Sequence, residues 1–127
     1  MRLDNESQRQ LKVAHQILKD LGEMFQRNAA SYALGQMVSV THVRISADLA
    51  YAKVYLSVFP SAAAQSVMSH VAKINSELRY ELGKRVRHQL RIVPELEFAL
   101  DDSLDYVERI ETLLQRDSEP DHSPEAE

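Results

Sequence analysis

The stretch Ser61–Gln89, SAAAQSVMSHVAKINSELRYELGKRVRHQ, decides how this chain folds. Ala63, Val67, Val71, Ile74, Leu78, Leu82 and Val86 recur three or four residues apart, the spacing of one buried stripe on a helix. An unbroken helix over the whole stretch would measure about 43 Å at ~1.5 Å per residue. A domain of this length spans roughly 35 Å, so the helix must bend. The weak helix formers inside it are Asn75 and Ser76, whose side chains compete for backbone hydrogen bonds. The bend is expected there, with Gly83 as the alternative.

Before this stretch lie a helix and two strands. Asp4 to Arg27 carries Leu11, Ala14, Leu18, Leu21 and Phe25 in one helical stripe, and Gly22 beside it predicts a close approach by another element. Asn28 to Gly35 is a break. Met37 to Ser46 is rich in β-branched residues, and its alternation slips phase near Thr41–His42, which predicts a bulge. After a turn at Asp48–Leu49, Tyr51 to Phe59 alternates cleanly: Ala52, Val54, Leu56 and Val58 share one face, and Pro60 ends the run.

After the bent helix, Arg91 to Leu100 reads as a third strand, with Ile92, Leu96, Phe98 and Leu100 on one face and Pro94 near its start. Asp102 or Ser103 can cap a last helix bearing Leu104, Val107, Ile110 and Leu113–Leu114. The expected domain covers residues 1–116, and residues 117–127 are expected to form an acidic, disordered tail. The order α-β-β-α-α-β, followed by a C-terminal helix, gives an α+β fold with three strands packed on helices. Its connectivity is that of a type II KH-like domain, a single-stranded RNA module.

Composition narrows the chemistry. The 127 residues include no cysteine, which excludes disulfides, thiolate nucleophiles, Cys-ligated zinc and iron–sulfur clusters. No apolar run is long enough to cross a membrane and the N-terminus is polar, so the expected compartment is the cytoplasm, with no membrane partner. His15, His42, His70, His88 and His122 form no i, i+3 or i, i+4 ligand pair. Asp101–Asp102 reads as a helix cap and Glu95 with Glu97 as an exposed strand face. No serine sits in a nucleophile elbow, and Gly22, Gly35 and Gly83 build no phosphate loop. No metal, no cofactor, no small-molecule substrate and no catalytic residue are expected, and the chain reads as not an enzyme.

Charge points elsewhere. The net charge is −4, but residues 117–127 hold five acids and no Lys or Arg. Without them 15 basic residues face 14 acidic ones, a net of +1. Between Arg79 and Arg91 the local net is +4: Arg79, Lys84, Arg85, Arg87 and Arg91 against Glu81. Counting ~100° per residue places Tyr80, Lys84, Arg87 and Arg91 roughly opposite Leu78, Leu82 and Val86. Such a face can bind phosphates through its cations and stack a base on the ring. The same pattern also describes the solvated side of an ordinary amphipathic helix. Lys53 and the first-helix cations Arg9, Lys12 and Lys19 are the next groups to consider.

Two blocks, DLAYAKVYLSV (Asp48–Val58) and LRYELGKRVRHQLRIVPELEFALDDSLDYVERIETLL (Leu78–Leu114), resemble the ribosome-binding factor A family, and the resemblance extends from the first helix to Leu114. It implies a KH-like fold with a helix–kink–helix in place of the GxxG loop. It also implies a non-catalytic cytoplasmic factor that binds free 30S subunits or their precursors and assists late maturation and 16S rRNA processing near the 5′-terminal helix. The family's kink is an Ala-x-Gly; here the corresponding residues are Ile74, Asn75 and Ser76. The expected RNA contacts are Lys53, Arg79, Tyr80, Lys84, Arg85, Arg87 and Arg91, on a chain expected to be a monomer. A general single-stranded RNA adaptor is the alternative, and a small hydrolase or transferase is the reading from another class.

Overall fold

The computed structural model describes residues 7–101. The expected C-terminal helix and the acidic tail lie outside the described residues, as do residues 1–6.

The first helix, α1 (Gln8–Arg27), starts at a reciprocal cap. The Ser7 hydroxyl accepts from the Gln10 amide at 3.1 Å, while the Ser7 amide donates to Gln10 Oε1 at 2.9 Å. Gln10 Nε2 also reaches the Ile45 carbonyl at 3.0 Å, pinning the first turn to the end of β1 (Met37–Ile45). The buried face of α1 is Ala14, Ile17, Leu21, Met24 and Phe25, rotated from the expected stripe. On this face Leu18 is marginal and Leu11 is 52% exposed. The same rotation removes the reason for Gly22: a Cβ there would meet nothing within 4 Å.

A short helix, α2 (Ala29–Tyr32), and Gly35 at φ 79°, a conformation costly for other residues, lead into β1. Strand β2 (Tyr51–Phe59) pairs antiparallel with β1, and the register shifts between Val40 and His42, where the alternation slips. Thr41 is the extra residue, and its hydroxyl donates to Asp101 Oδ2 at 2.6 Å. The β1–β2 turn is built by Asp48, whose Oδ1 accepts from Ser46 Oγ at 2.7 Å and from the Ala50 amide at 3.1 Å. The Ser46 bond, then the backbone one, hold its carboxyl below the usual range.

From β2 the chain passes through a 3₁₀ turn (Ser61–Ala63) into α3 (Ala64–Lys73) and α4 (Asn75–Val86), and returns as β3 (Glu95–Leu100). β3 lies parallel to β2, so the sheet order is β1-β2-β3 with the helices on one face. The long helix is interrupted as its length requires, one residue before Asn75: Ile74 leaves helical geometry at φ −100°, ψ 19°. Asn75 and Ser76 are the first residues of α4, and Asn75 Nδ2 donates to the Leu96 carbonyl at 2.9 Å. Its amide ties the break to β3.

Two further expectations are corrected. The helix stops at Val86 rather than Gln89, because the Gln89 and Leu90 amides both turn back to the Val86 carbonyl and Leu90 is buried. β3 starts after the buried Pro94, which leaves Ile92 outside the strand and 71% exposed. Leu100 is also exposed, at the far end of β3. The core joins α1, both halves of the bent helix and the sheet, and Phe25 packs edge-on to Tyr32 and Phe98. The result is the expected α+β, KH-like arrangement. No helix among the described residues is long and apolar enough to cross a membrane.

Candidate nucleic-acid interface

Leu78, Leu82 and Val86 bury one side of α4. The other side, with the chain that follows, forms a surface hollow of about 520 Å³ lined by Ser76, Arg79, Tyr80, Gly83, Lys84, Arg87 and Val93. Gly83 makes its shape possible: a Cβ there would stand 3.0 Å from Val93 Cγ2. Tyr80 is 67% exposed, and Lys84 Nζ lies 5.3 Å from the centre of its ring. Lys84 also pairs with Glu81 at 3.5 Å, an exposed contact too weak to hold the lysine from another anion. Arg87 is exposed at the C-terminal end of the helix.

The other cations expected at this site have separate positions. Arg79 lines the hollow, but its Nε donates to the Pro94 carbonyl at 3.0 Å and its Nη2 to the Val93 carbonyl at 2.7 Å. It clamps the segment before β3. Arg85 turns toward α1, where its Nη1 meets Asp20 Oδ1 at 3.1 Å and Glu23 Oε1 at 2.9 Å. The hydrogen bond to Glu23 raises the Arg85 pKa and lowers that of Glu23, so the pair stays charged. Asp20 is 8% exposed and also accepts from Gln16 Nε2 at 2.7 Å. Arg85 is therefore a brace between helices.

Arg91 does not continue the face of α4, because the helix has already ended. It lines a smaller cleft with Arg9, Asp48, Leu49, Ala50, Leu90 and Ile92. Lys53 is remote from the hollow. Ala52 and Val54 point into the helical layer, so Lys53 points to the opposite face of the sheet, where its Nζ lies 5.5 Å from the Tyr55 ring centre. The structure thus gathers Ser76, Arg79, Tyr80, Lys84 and Arg87 and leaves Lys53, Arg85 and Arg91 elsewhere. Val93 had no charge or ring to mark it, and its one signal was the glycine it packs against. No group of three His, Asp or Glu residues among the described residues is placed to hold a metal ion.

A cationic hollow with one free ring can hold a phosphodiester and stack a base.

Known proteins resemble this chain over most of its length. The profile of the family described as Ribosome-binding factor A matches residues 9–114. A Ribosome-binding factor A from Christiangramia forsetii is 36% identical over 121 residues, covering 94% of this chain and 92% of that protein. One from Cytophaga hutchinsonii is 38% identical over 111 residues, covering 87% and 84%. The crystal structure of ribosome-binding factor A from Thermus thermophilus superposes with a TM-score of 0.60 at 23% identity, over 72% of this chain and 94% of that one. That last likeness concerns the fold.

Proposed function

The chain belongs to the ribosome-binding factor A family, and on that premise we propose that it is a non-catalytic assembly factor binding free 30S subunits or their precursors in the cytoplasm. It acts on 16S rRNA, assists late 30S maturation and supports rRNA processing near the 5′-terminal helix. Tyr80 and Lys84 on α4 and Arg87 at its C-cap are its first RNA contacts. The single observation that carries the reading is the hollow itself: the fold presents these three side chains to solvent while it engages Arg79 and Arg85 internally.

The hollow lies beside the helix–break–helix that stands where a KH domain has its GxxG loop. Ile74, Asn75 and Ser76 provide no such loop, so α4's side chains, rather than a glycine-lined backbone, make the contact. Binding favours whichever rRNA conformation fits the face better, and only that difference in affinity can shift the subunit between states.

Co-sedimentation of the purified chain with 30S, 50S and 70S particles tests this reading. Association with free 30S that resists competition by unrelated single strands is the expected outcome. Equal competition by any strand identifies a general RNA adaptor, and absence from the 30S fraction removes the proposal.

A further inference from the structure

α1 and the exit of α4 run side by side, and their contacts can be followed in order. Arg85 meets Asp20 and Glu23; further along, Gln89 and Leu90 face Arg9, Lys12, Val13 and Gln16 across a cleft of about 440 Å³. The cleft holding Arg91 shares Arg9 and Leu90 with it, so the two are neighbours. This region is distinct from the hollow on α4.

We propose that the cleft lined by Arg9, Lys12, Val13, Gln16, Gln89 and Leu90 is a second contact for single-stranded rRNA, with Arg9 and Lys12 on phosphates and one unstacked base against Val13 and Leu90. The inference rests on the reading in the preceding subsection and extends it. Charge is the first ground. Among the described residues Arg9, Lys12 and Arg91 form no ion pair, and Arg9 and Lys12 are exposed one turn apart. Among the described residues the only acid lining either cleft, Asp48, is engaged by the β1–β2 turn. An anion is therefore favoured at the Arg9–Lys12 end.

Shape and hydrogen bonding are the second ground. The volume lies within the roughly 300–1,000 Å³ of pockets that take small ligands. Leu90 makes an apolar floor, and Gln16 and Gln89 supply side-chain amides at the wall. Gln16 Nε2 is held by Asp20, which leaves Gln16 Oε1 as an acceptor for a base N–H. A single strand supplies both the phosphates for the cations and a planar base for this apolar, amide-edged slot.

Rigidity is the third. The Ser7–Gln10 cap and the Gln10–Ile45 bond fix the first turn of α1, and the Arg85 brace fixes α1 against α4. Two contacts on one rigid body reinforce each other, because the second binds from a high effective concentration.

The test uses the full chain and free 30S particles. Arg9→Gln/Lys12→Gln should fold with an unchanged unfolding midpoint and lower the slope of log affinity against log salt by about 1.4, at ~0.7 per phosphate on a single strand. The protein has no native cysteine, so Gln89→Cys carries a benzophenone label at one position. Irradiation should join it to 16S rRNA, whereas a label at Ser39→Cys, on the opposite face of the sheet, should not do so. An unchanged salt slope in the double variant, or a Gln89 label that joins ribosomal protein or nothing, overturns this inference while leaving the α4 contact standing. A wild-type chain that fails to bind 30S at all overturns the proposed function, and this site with it.

Discussion

Lys84 and Arg85 are consecutive residues of α4, about 100° apart around its axis, and they meet different surroundings. Lys84 reaches into solvent over Tyr80, beside a hollow. Arg85 faces α1 and closes on a buried Asp20 and on Glu23. One turn earlier, Arg79 closes on two carbonyls while Tyr80 is exposed. A run of positive charge is thus divided by geometry into cations that hold the fold and cations that remain available. The number of Lys and Arg residues in a segment says little about binding until their internal partners are known.

The largest effect should come from breaking that division at Arg85. Arg85→Ala leaves the Asp20 carboxylate buried with Gln16 as its remaining side-chain hydrogen-bond partner among the described residues, and should cost about 1–3 kcal/mol in urea unfolding, the range reduced because Arg85 is partly exposed. Lys84→Ala should stay within about 0.5 kcal/mol. Equal costs for the two would erase the distinction. The pair also has a pH signature. Glu23's carboxyl is held below its ordinary value, first by the Arg85 hydrogen bond. Its contribution is thus present above the unfolded pKa and lost as pH falls through the depressed folded value. The acid limb of the stability curve should therefore flatten in Arg85→Ala.

Next in size is the binding side of the comparison. Lys84→Gln/Arg87→Gln should reduce the salt slope for 30S by about 1.4, with unfolding unchanged, because both side chains are exposed and available to phosphates. A folded double variant with the wild-type slope would show that the outer side of α4 is only a solvated surface.

The two helix glycines provide a smaller contrast. Gly22→Ala should raise stability by about 0.5–1 kcal/mol, since the helix gains propensity and the new methyl meets nothing. Gly83→Ala should gain less, because its methyl presses on Val93. Adding Val93→Ala should remove that difference, and a double-mutant cycle showing no coupling would rule out the close approach.

The smallest expected change in stability concerns the acidic end of the chain. A chain ending at Arg116 should unfold within about 0.5 kcal/mol of the full one, because eleven mostly polar residues have little apolar area to bury. Its affinity for 30S should rise at low salt and match the full chain at high salt, where screening cancels the tail's charge. A lower affinity at low salt would mean that the tail itself is a contact.

Much of the fold was legible because it follows from local pattern. Alternation and Pro60 bound β2 at Tyr51 and Phe59, and the phase slip at Thr41 marks the bulge. The helix too long for its domain had to break, and it does so at Ile74, next to the weak formers that suggested it. Periodicity was less informative where one apolar residue suits two geometries. Leu90 is buried in a turn, although its spacing also fits a continuing helix. Leu11 fits the helical stripe of α1 and still faces solvent, since Ile17 and Met24 rotate the buried arc away from it.

The amino-acid order alone therefore determined the longer helices and the strands among the described residues, their succession and the α+β class, because these arise from residues within a few positions of one another. It also determined that this chain carries a basic segment with a tyrosine in it. Which of those cations are free was decided only by tertiary structure. Arg79 finds its carbonyls 14 and 15 residues away, and Arg85 finds Asp20 at a separation of 65. Arg9 and Lys12 join Gln89 and Leu90 only because α1 packs beside the exit of α4. A charge's availability depends on which opposite charge or acceptor the fold brings within about 3 Å, and local spacing carries no record of a partner so far along the chain.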